Sequence, residues 1–282
     1  MIERCRDAYP IRMMCRCLKV SPGGYYAWRE RPKSARAKAN ELLLARIAEI
    51  HEDSEGVMGS PRVWEELRYA GETCSQNRVA RLMQGAGLQG VPQPKQWRRK
   101  SSGARPGGIR NHLQRQFSAD QPNTKWVTDI TYIRTGEGWL YLCIVIDLHS
   151  DTVVGWSMSH RQDRQLVIQA VLMALWQRRE RYPVILHSDR GTQFTSDEYQ
   201  RFLKDHNVIC SMSGVGSCAD NAAAEGFFGR LKRERVNRRR YQTRAEARAD
   251  VFYYIERFHN PRRRRQLETK KVDLTKPSVE TG

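Results

Sequence analysis

The chain has 282 residues, with 49 Lys and Arg against 31 Asp and Glu, for a formal net charge of +18. That length suits two or three modules, and that charge calls for a polyanionic partner, nucleic acid before an anionic membrane surface. The best apolar run, Leu166 to Trp176, is 11 residues long and contains Gln169, short of the ~20 a bilayer span needs; with no secretory pattern in Met-Ile-Glu-Arg-Cys-Arg, a cytoplasmic protein without membrane partners is expected.

Residues 1–35 read as a short N-terminal helical segment, one helix to Leu18 and a second capped and started by Ser21-Pro22. It is either a small helix-turn-helix or a helical hairpin with no nucleic-acid role. Residues 36–91 read as a helix-turn-helix-like DNA-binding region. Leu42, Leu43, Leu44, Ile47 and Ile50 recur at helical spacing. Ser60-Pro61 opens a helix ending at Gly71, and Ser75 caps another whose outward face carries Gln76, Asn77, Arg78 and Arg81. Arg78 and Arg81 are candidate DNA contacts, since such side chains reach phosphates and base edges.

Residues 92–120, broken by prolines and glycines, form a basic linker. From Thr73 to Ala119 there is no Asp or Glu but there are nine Lys or Arg. A solvated face mixes signs, so contact with a phosphate backbone explains this stretch better, and Arg98, Arg99 and Lys100 are further candidate DNA contacts. The seven cysteines contain no Cys-x-x-Cys pair and read as reduced, mostly buried thiols.

From residue 121 the pattern turns to strands. Lys125–Ile133 alternates, Trp139–Leu148 is nearly continuous apolar, as in a strand covered on both faces, and Thr152–Ser159 follows a turn. Asp163 caps a helix, Val184–His187 and Val208–Met212 are short strands, and Ser196 caps the helix between them. Helices are expected from Asn221 to about Val236 and from Thr243 to about His259. The order β-β-β-α-β-α-β-α is that of an RNase H-like α/β domain over residues 121–260. Residues 261–282 read as a basic C-terminal tail. Arginine clusters stand at 238–240 and 262–265.

Three carboxylates sit in distinctive settings within this domain: Asp129 in Trp126-Val-Thr-Asp-Ile-Thr, Asp189 in His187-Ser-Asp-Arg-Gly-Thr-Gln193, and Glu225 in Asp220-Asn-Ala-Ala-Ala-Glu. Each belongs to a different element, so only the fold can bring them together. Three convergent carboxylates can hold two Mg²⁺ ions, with Mn²⁺ as a substitute, and two such ions drive in-line displacement at a phosphodiester. Lys232 lies seven residues beyond Glu225 on the same helix face, where a cation can hold a phosphate beside the metals. Asp220 is the expected N-cap of that helix, Asn221 and Gln193 are candidate DNA contacts, Gly191 is expected to permit a turn, and His187 reads as a strand-end residue rather than a ligand.

These stretches, with Val20-Ser-Pro-Gly-Gly-Tyr-Tyr-Ala-Trp28, Gly59-Ser-Pro-Arg-Val63, Gly138-Trp-Leu-Tyr-Leu142, Val154-Gly-Trp-Ser-Met158 and Glu225-Gly-Phe-Phe228, resemble the second-frame (OrfB-like) transposases of the insertion sequence 3 family. The resemblance runs from about residue 15 to 260. It implies that Asp129, Asp189 and Glu225 are the metal-binding catalytic triad and Lys232 the basic residue that follows it. It further implies metal-dependent 3′-end nicking and strand transfer, without a covalent protein–DNA intermediate. Two features depart from the family pattern: Met58 replaces an aromatic residue, and Arg262-Arg-Arg-Arg-Gln-Leu replaces a His-Ser-x-Leu-Gly-Tyr segment. Expected partners are the element's terminal repeats, target DNA, a second copy of this chain, and an upstream-frame helix-turn-helix protein that can be fused by frameshift. The alternatives are a hydrolytic RNase H-like nuclease and a non-catalytic DNA-binding repressor.

Overall fold

In a computed structural model the described residues are 1–92, 113, 118–179, 182–189, 191–212 and 221–275, the last six by their backbone. Arg98, Arg99, Lys100 and Asp220 lie outside them. Helices α1 (Ile11–Cys17) and α2 (Pro22–Glu30) close a small core of Ile2, Cys15 and Tyr25. Ser21 caps α2, its hydroxyl accepting from the Gly24 N–H at 2.9 Å.

Helices α3 (Ala35–Asp53), α4 (Ser60–Tyr69) and α5 (Gln76–Gly85) bury Leu43, Ile47, Met58, Val63, Leu67, Val79 and Met83 in a core of their own. Leu42, grouped with that stripe in the sequence, is exposed. At 3.6 residues per turn it stands about 100° around the helix from Leu43.

The α/β domain is built on five strands: β1 (Lys125–Thr135), β2 (Gly138–Asp147), β3 (Thr152–Ser159), β4 (Val184–Ser188) and β5 (Val208–Met212), in the order β3-β2-β1-β4-β5. β1–β2 and β2–β3 pair antiparallel, while β4 runs parallel to β1 and β5. This is the expected RNase H-like order. Alternate residues feed two cores. Trp126, Cys143 and Val145 pack with α6 (Arg164–Gln177) and with Tyr199 and Leu203 of α8 (Asp197–Asp205). Val127, Leu142 and Ile144 pack with α9 (Ala222–Glu234) and α10 (Arg244–Tyr253). Covering on both sides is why β2 reads as one apolar run. A one-turn helix, α7 (Thr192–Thr195), precedes α8 and carries too little sequence to show a period. Among the described residues all six cysteines are free; Cys15 and Cys143 are buried and Cys17 is exposed.

Gly155 lets β3 approach α6. A Cβ there would lie 2.2 Å from the Ala170 carbonyl oxygen and 2.8 Å from the Ala174 Cβ. Gly155→Ala is therefore expected to cost about 1–3 kcal/mol by overpacking. Urea unfolding reads this directly, and an unchanged midpoint would mean that α6 can move away.

The C-terminal end of the chain departs from expectation. The last helix does not stop near His259. It passes through a π-helical segment, Tyr254–His259, into α11 (Asn260–Thr275). A proline removes one helix hydrogen bond and crowds the preceding turn, and here the widened segment comes just before Pro261. Asn260 fixes the path: its amide donates to the Val153 carbonyl at 2.8 Å and accepts from the Val153 N–H at 2.9 Å. His259, buried beside it, is pushed down to about 3, by loss of solvent first and then by Arg230 and Arg263.

Several arginines in and beside these clusters are latches within the chain. Glu55 accepts from Arg235 and Arg239, each at 2.6 Å. Glu66 of α4 accepts from Arg262 at 3.1 Å and Arg265 at 2.8 Å. Arg62 of α4 pairs with Glu234 of α9 at 2.7 Å, and Val57 sits in the core beneath α9 and α10. The helical domain is thus docked on the α/β domain by an apolar anchor ringed with ion pairs.

Candidate active site

Asp129 lies in the middle of the central strand, opposite Ile144 of β2. Its Oδ1 accepts from the Ile130 N–H at 2.7 Å. Loss of solvent pushes its carboxyl up to about 7; the charges of Asp189 and Glu225 push the same way, against the Ile130 N–H and Lys232. The end of β4 and helix α9 therefore both act on this one carboxylate. Asp189 follows the last residue of β4, and its Oδ1 accepts from the Gly191 N–H at 2.9 Å. Gly191 has an ordinary φ of −62°, so left-handed backbone is not what it supplies. A Cβ there would meet Gln193 Oε1 at 2.8 Å and Asp189 Oδ1 at 3.1 Å, so the glycine makes room for the carboxylate.

Glu225 stands in the first turn of α9, and partial loss of solvent raises its carboxyl above the ordinary value. Asn221 occupies the N-cap position of that helix without a side-chain cap bond. Its amide instead donates to the Thr128 carbonyl at 3.1 Å, tying the start of α9 to the residue before Asp129. At 5% exposure, Asn221 cannot meet DNA in this arrangement, which corrects the contact expected from sequence. Lys232, two turns along α9, has its Nζ 4.8 Å from the centroid of the Tyr132 ring. Loss of solvent lowers its pKa, with Asp129 acting in opposition.

Among the described residues, no three acidic, His or Cys side chains stand together in a metal-holding group. The charges of Asp189 and Glu225 reach Asp129 without the three closing into a cage. The donor chemistry still fits a hard divalent cation: three carboxylates, and the buried Asn221 Oδ1, which has no hydrogen-bond partner. His187 belongs elsewhere, buried in β4 with its Nδ1 2.9 Å from the Ser211 hydroxyl of β5.

The other residues singled out from sequence are spread over the surface. Gln193, on α7, donates to the Gln162 carbonyl at 3.4 Å. Arg81 is exposed with Gln76 and Asn77, while Arg78 is half-buried and donates to Asn40 Oδ1 at 2.9 Å. Sequence reasoning missed Tyr132 and Trp139, exposed aromatic residues on β1 and β2 that line a groove of about 720 Å³ together with Lys232. The available signal was a tyrosine and a tryptophan flanking a tight hairpin, at positions that the strand alternation leaves outside the core.

Asp129 gives a signed pH prediction. Its carboxyl rises from 3.8 to about 7 on folding, so between those values the folded chain holds a proton that the unfolded chain has lost. Stability therefore falls as pH rises through that window, and the deficit is complete above it. Metal-free Asp129→Asn should be more stable than wild type at about pH 8, by up to about 4 kcal/mol at ~1.4 kcal/mol per unit, and equal to it near pH 4. Urea unfolding in EDTA across that range measures the difference; identical curves at the alkaline end would mean that the carboxylate is not enclosed.

Residues 119–218 and 225–275 each match an Integrase core domain family, and residues 38–96 match the HTH-like domain family. The chain is 41% identical over 270 residues to the transposase InsF for insertion sequence IS3A of Escherichia coli (strain K12), covering 93% of this chain and 92% of that one. It is 30% identical over 267 residues to the transposase for insertion sequence element IS629 of Shigella sonnei, covering 93% and 90%. Among solved structures, the catalytic domain of Mos1 mariner transposase aligns at 12% identity and a TM-score of 0.41, over 54% of this chain and 82% of that one.

Proposed function

The chain belongs to the insertion sequence 3 family of transposases, and from that membership we propose that Asp129, Asp189 and Glu225 are the catalytic carboxylates of a polynucleotidyl transferase that nicks the element's 3′ ends and joins them to target DNA. The observation that carries this reading is the Asp129 carboxyl on β1, raised by burial, by Asp189 after β4 and by Glu225 on α9, and answered by Lys232 on the same helix.

The same three residues would hold two Mg²⁺ ions, or Mn²⁺ in their place. Bound there, the ions would activate the attacking hydroxyl and stabilise the leaving oxygen of an in-line displacement. The protein's own part is positional. Asn221 ties α9 to β1, Gly191 leaves space for Asp189, and Lys232 offers its ammonium to a phosphate beside the carboxylates. Arg81, Gln193, Arg78 and the linker cations Arg98, Arg99 and Lys100 would track the DNA backbone. The working division is residues 1–35 as a helical lead, 36–91 for DNA binding, 92–120 as basic linker, 121–260 for catalysis and 261–282 as tail. Holding two ends requires at least two copies on DNA, with an upstream-frame helix-turn-helix protein as the further partner. Among the described residues no helix is long and apolar enough to cross a membrane.

The test is a reaction with labelled DNA carrying the element's own terminal repeat, in Mg²⁺. A transposase joins a 3′ end to target, a hydrolytic nuclease only cuts, and a repressor binds without doing either. The excess of cations predicts a second result. If six or more phosphates are contacted, affinity should fall roughly a thousandfold or more between about 50 and 200 mM salt. A flat dependence on salt would remove the backbone-contact reading of the linker.

A further inference from the structure

We propose that the groove beside Lys232 binds unpaired DNA, whose bases stack on Tyr132 and Trp139 while Arg134 and Arg240 hold its phosphates. The identity of the ligand as DNA rests on the transposase reading; the groove's preference for an unpaired strand rests on its own geometry.

Large aromatic side chains are normally used to fill cores. Here Tyr132 is 56% exposed and Trp139 46%, on paired strands next to the β1–β2 hairpin. Their ring centroids are 5.0 Å apart at 79°, so they form one aromatic corner open to solvent. The groove they line also carries Arg134, Lys232, Arg239 and Arg240, and no acidic residue. Arg134 and Arg240 have no ion pair among the described residues. Arg239 is held by Glu55 and Asp250, so it serves as a fixed wall and connects the groove to the docked helical domain.

This composition selects its ligand. Three cations without an ion-pair partner among the described residues, Arg134, Lys232 and Arg240, in a groove with no acid call for a polyanion. Bases in a duplex are already stacked and present only their edges, whereas unpaired bases offer open faces to aromatic rings. Lys232 links the groove to the carboxylates. It both lines the groove and acts on Asp129, and Tyr132 is three residues along β1 from Asp129, about 10 Å at 3.3 Å per residue. Asp129 and Tyr132 alternate onto opposite faces of β1, so a strand whose phosphodiester lies at the carboxylates would reach this corner past Lys232, which bears on both. The site would then favour DNA opened beside the reacting bond.

The test compares wild type, Tyr132→Leu and Trp139→Leu by fluorescence anisotropy in EDTA, with a short labelled single strand and with the duplex of the same sequence. Each lost ring is expected to weaken single-strand binding about tenfold and to leave duplex binding within about twofold. Tyr132→Phe and Trp139→Phe should retain most of the single-strand affinity, and 2-aminopurine in the strand should be quenched by wild type and less by the leucine variants. Equal losses on both DNA forms, or no loss, would overturn the proposal. Both rings are exposed, and unchanged unfolding midpoints confirm that the variants fold. The catalytic reading fails separately: if wild type joins no ends, the anisotropy result still decides the groove. Glu225→Gln should bind the single strand as wild type does.

Discussion

Glu225→Gln is expected to lower end nicking and strand transfer by on the order of a thousandfold, with DNA binding held within severalfold. Loss of groups that merely orient metal ligands costs about 10–100-fold, and a residue proposed as a ligand itself should cost more. Glutamine keeps the size of the side chain and removes its charge. Glu225 is exposed in the first turn of α9 and carries none of the helix's packing, which falls to Ala224, Phe227, Phe228 and Leu231. The fold should therefore survive, and an unchanged unfolding midpoint verifies this. Taking a negative charge away from a phosphate-binding surface can only help binding, so a variant that binds DNA normally and cuts nothing isolates the chemistry. Asp189→Asn should behave alike, because the amide oxygen can still accept from the Gly191 N–H. A variant that loses binding and activity together would make these residues structural and would remove the triad. Thermal unfolding offers an independent reading: Mg²⁺ should raise the wild-type midpoint by linkage and should do so less for either variant.

The parts of the fold that were legible in the sequence are those fixed by neighbouring residues. Ser21, Ser75, Asp163 and Ser196 were readable as caps because a cap needs only a side-chain oxygen and the next turn of backbone. β3 was readable because its ends are set by a turn and by the start of a helix. What was not legible depends on distant partners. Pro261 reads locally as a stop, yet the helix continues because Asn260 finds both backbone groups of Val153, 107 residues earlier in sequence. Asn221 reads as a polar residue near DNA, and burial against Thr128 makes it a tether instead. Arg235, Arg239, Arg262 and Arg265 count toward a basic surface until Glu55 and Glu66 claim them. At the candidate site, motifs single out the three carboxylates and Lys232, but only the sheet order explains why Asp189, next to β1, can act on Asp129.

Glu234→Ala is expected to be the most destabilising single change in the docking surface, at about 3 kcal/mol. The Glu234 carboxylate is 1% exposed and accepts from Arg62 at 2.7 Å, the Tyr254 hydroxyl at 2.8 Å and Arg233 at 3.2 Å. Removing one partner of a buried ion pair costs about 3–5 kcal/mol, because the remaining charge loses its compensation. The lower end applies here, since Arg62 keeps 36% of its side-chain surface in water. The Tyr254 hydroxyl has no such relief: the ring is 1% exposed, and burial together with Glu234 holds its proton tightly. Urea unfolding of Glu234→Ala, Arg62→Ala and the double variant separates the two contributions, since a shared interaction makes the double loss smaller than the sum. Strictly additive losses would mean that Arg62 and Glu234 stabilise the chain independently. A non-additive result has a functional consequence. Glu234 ends the helix whose first turn carries Glu225, so the ion pair that docks the helical domain also bears on the helix that presents the carboxylate. Arg62→Ala, which leaves every residue of α9 in place, should therefore lower strand transfer even at temperatures where the chain remains folded.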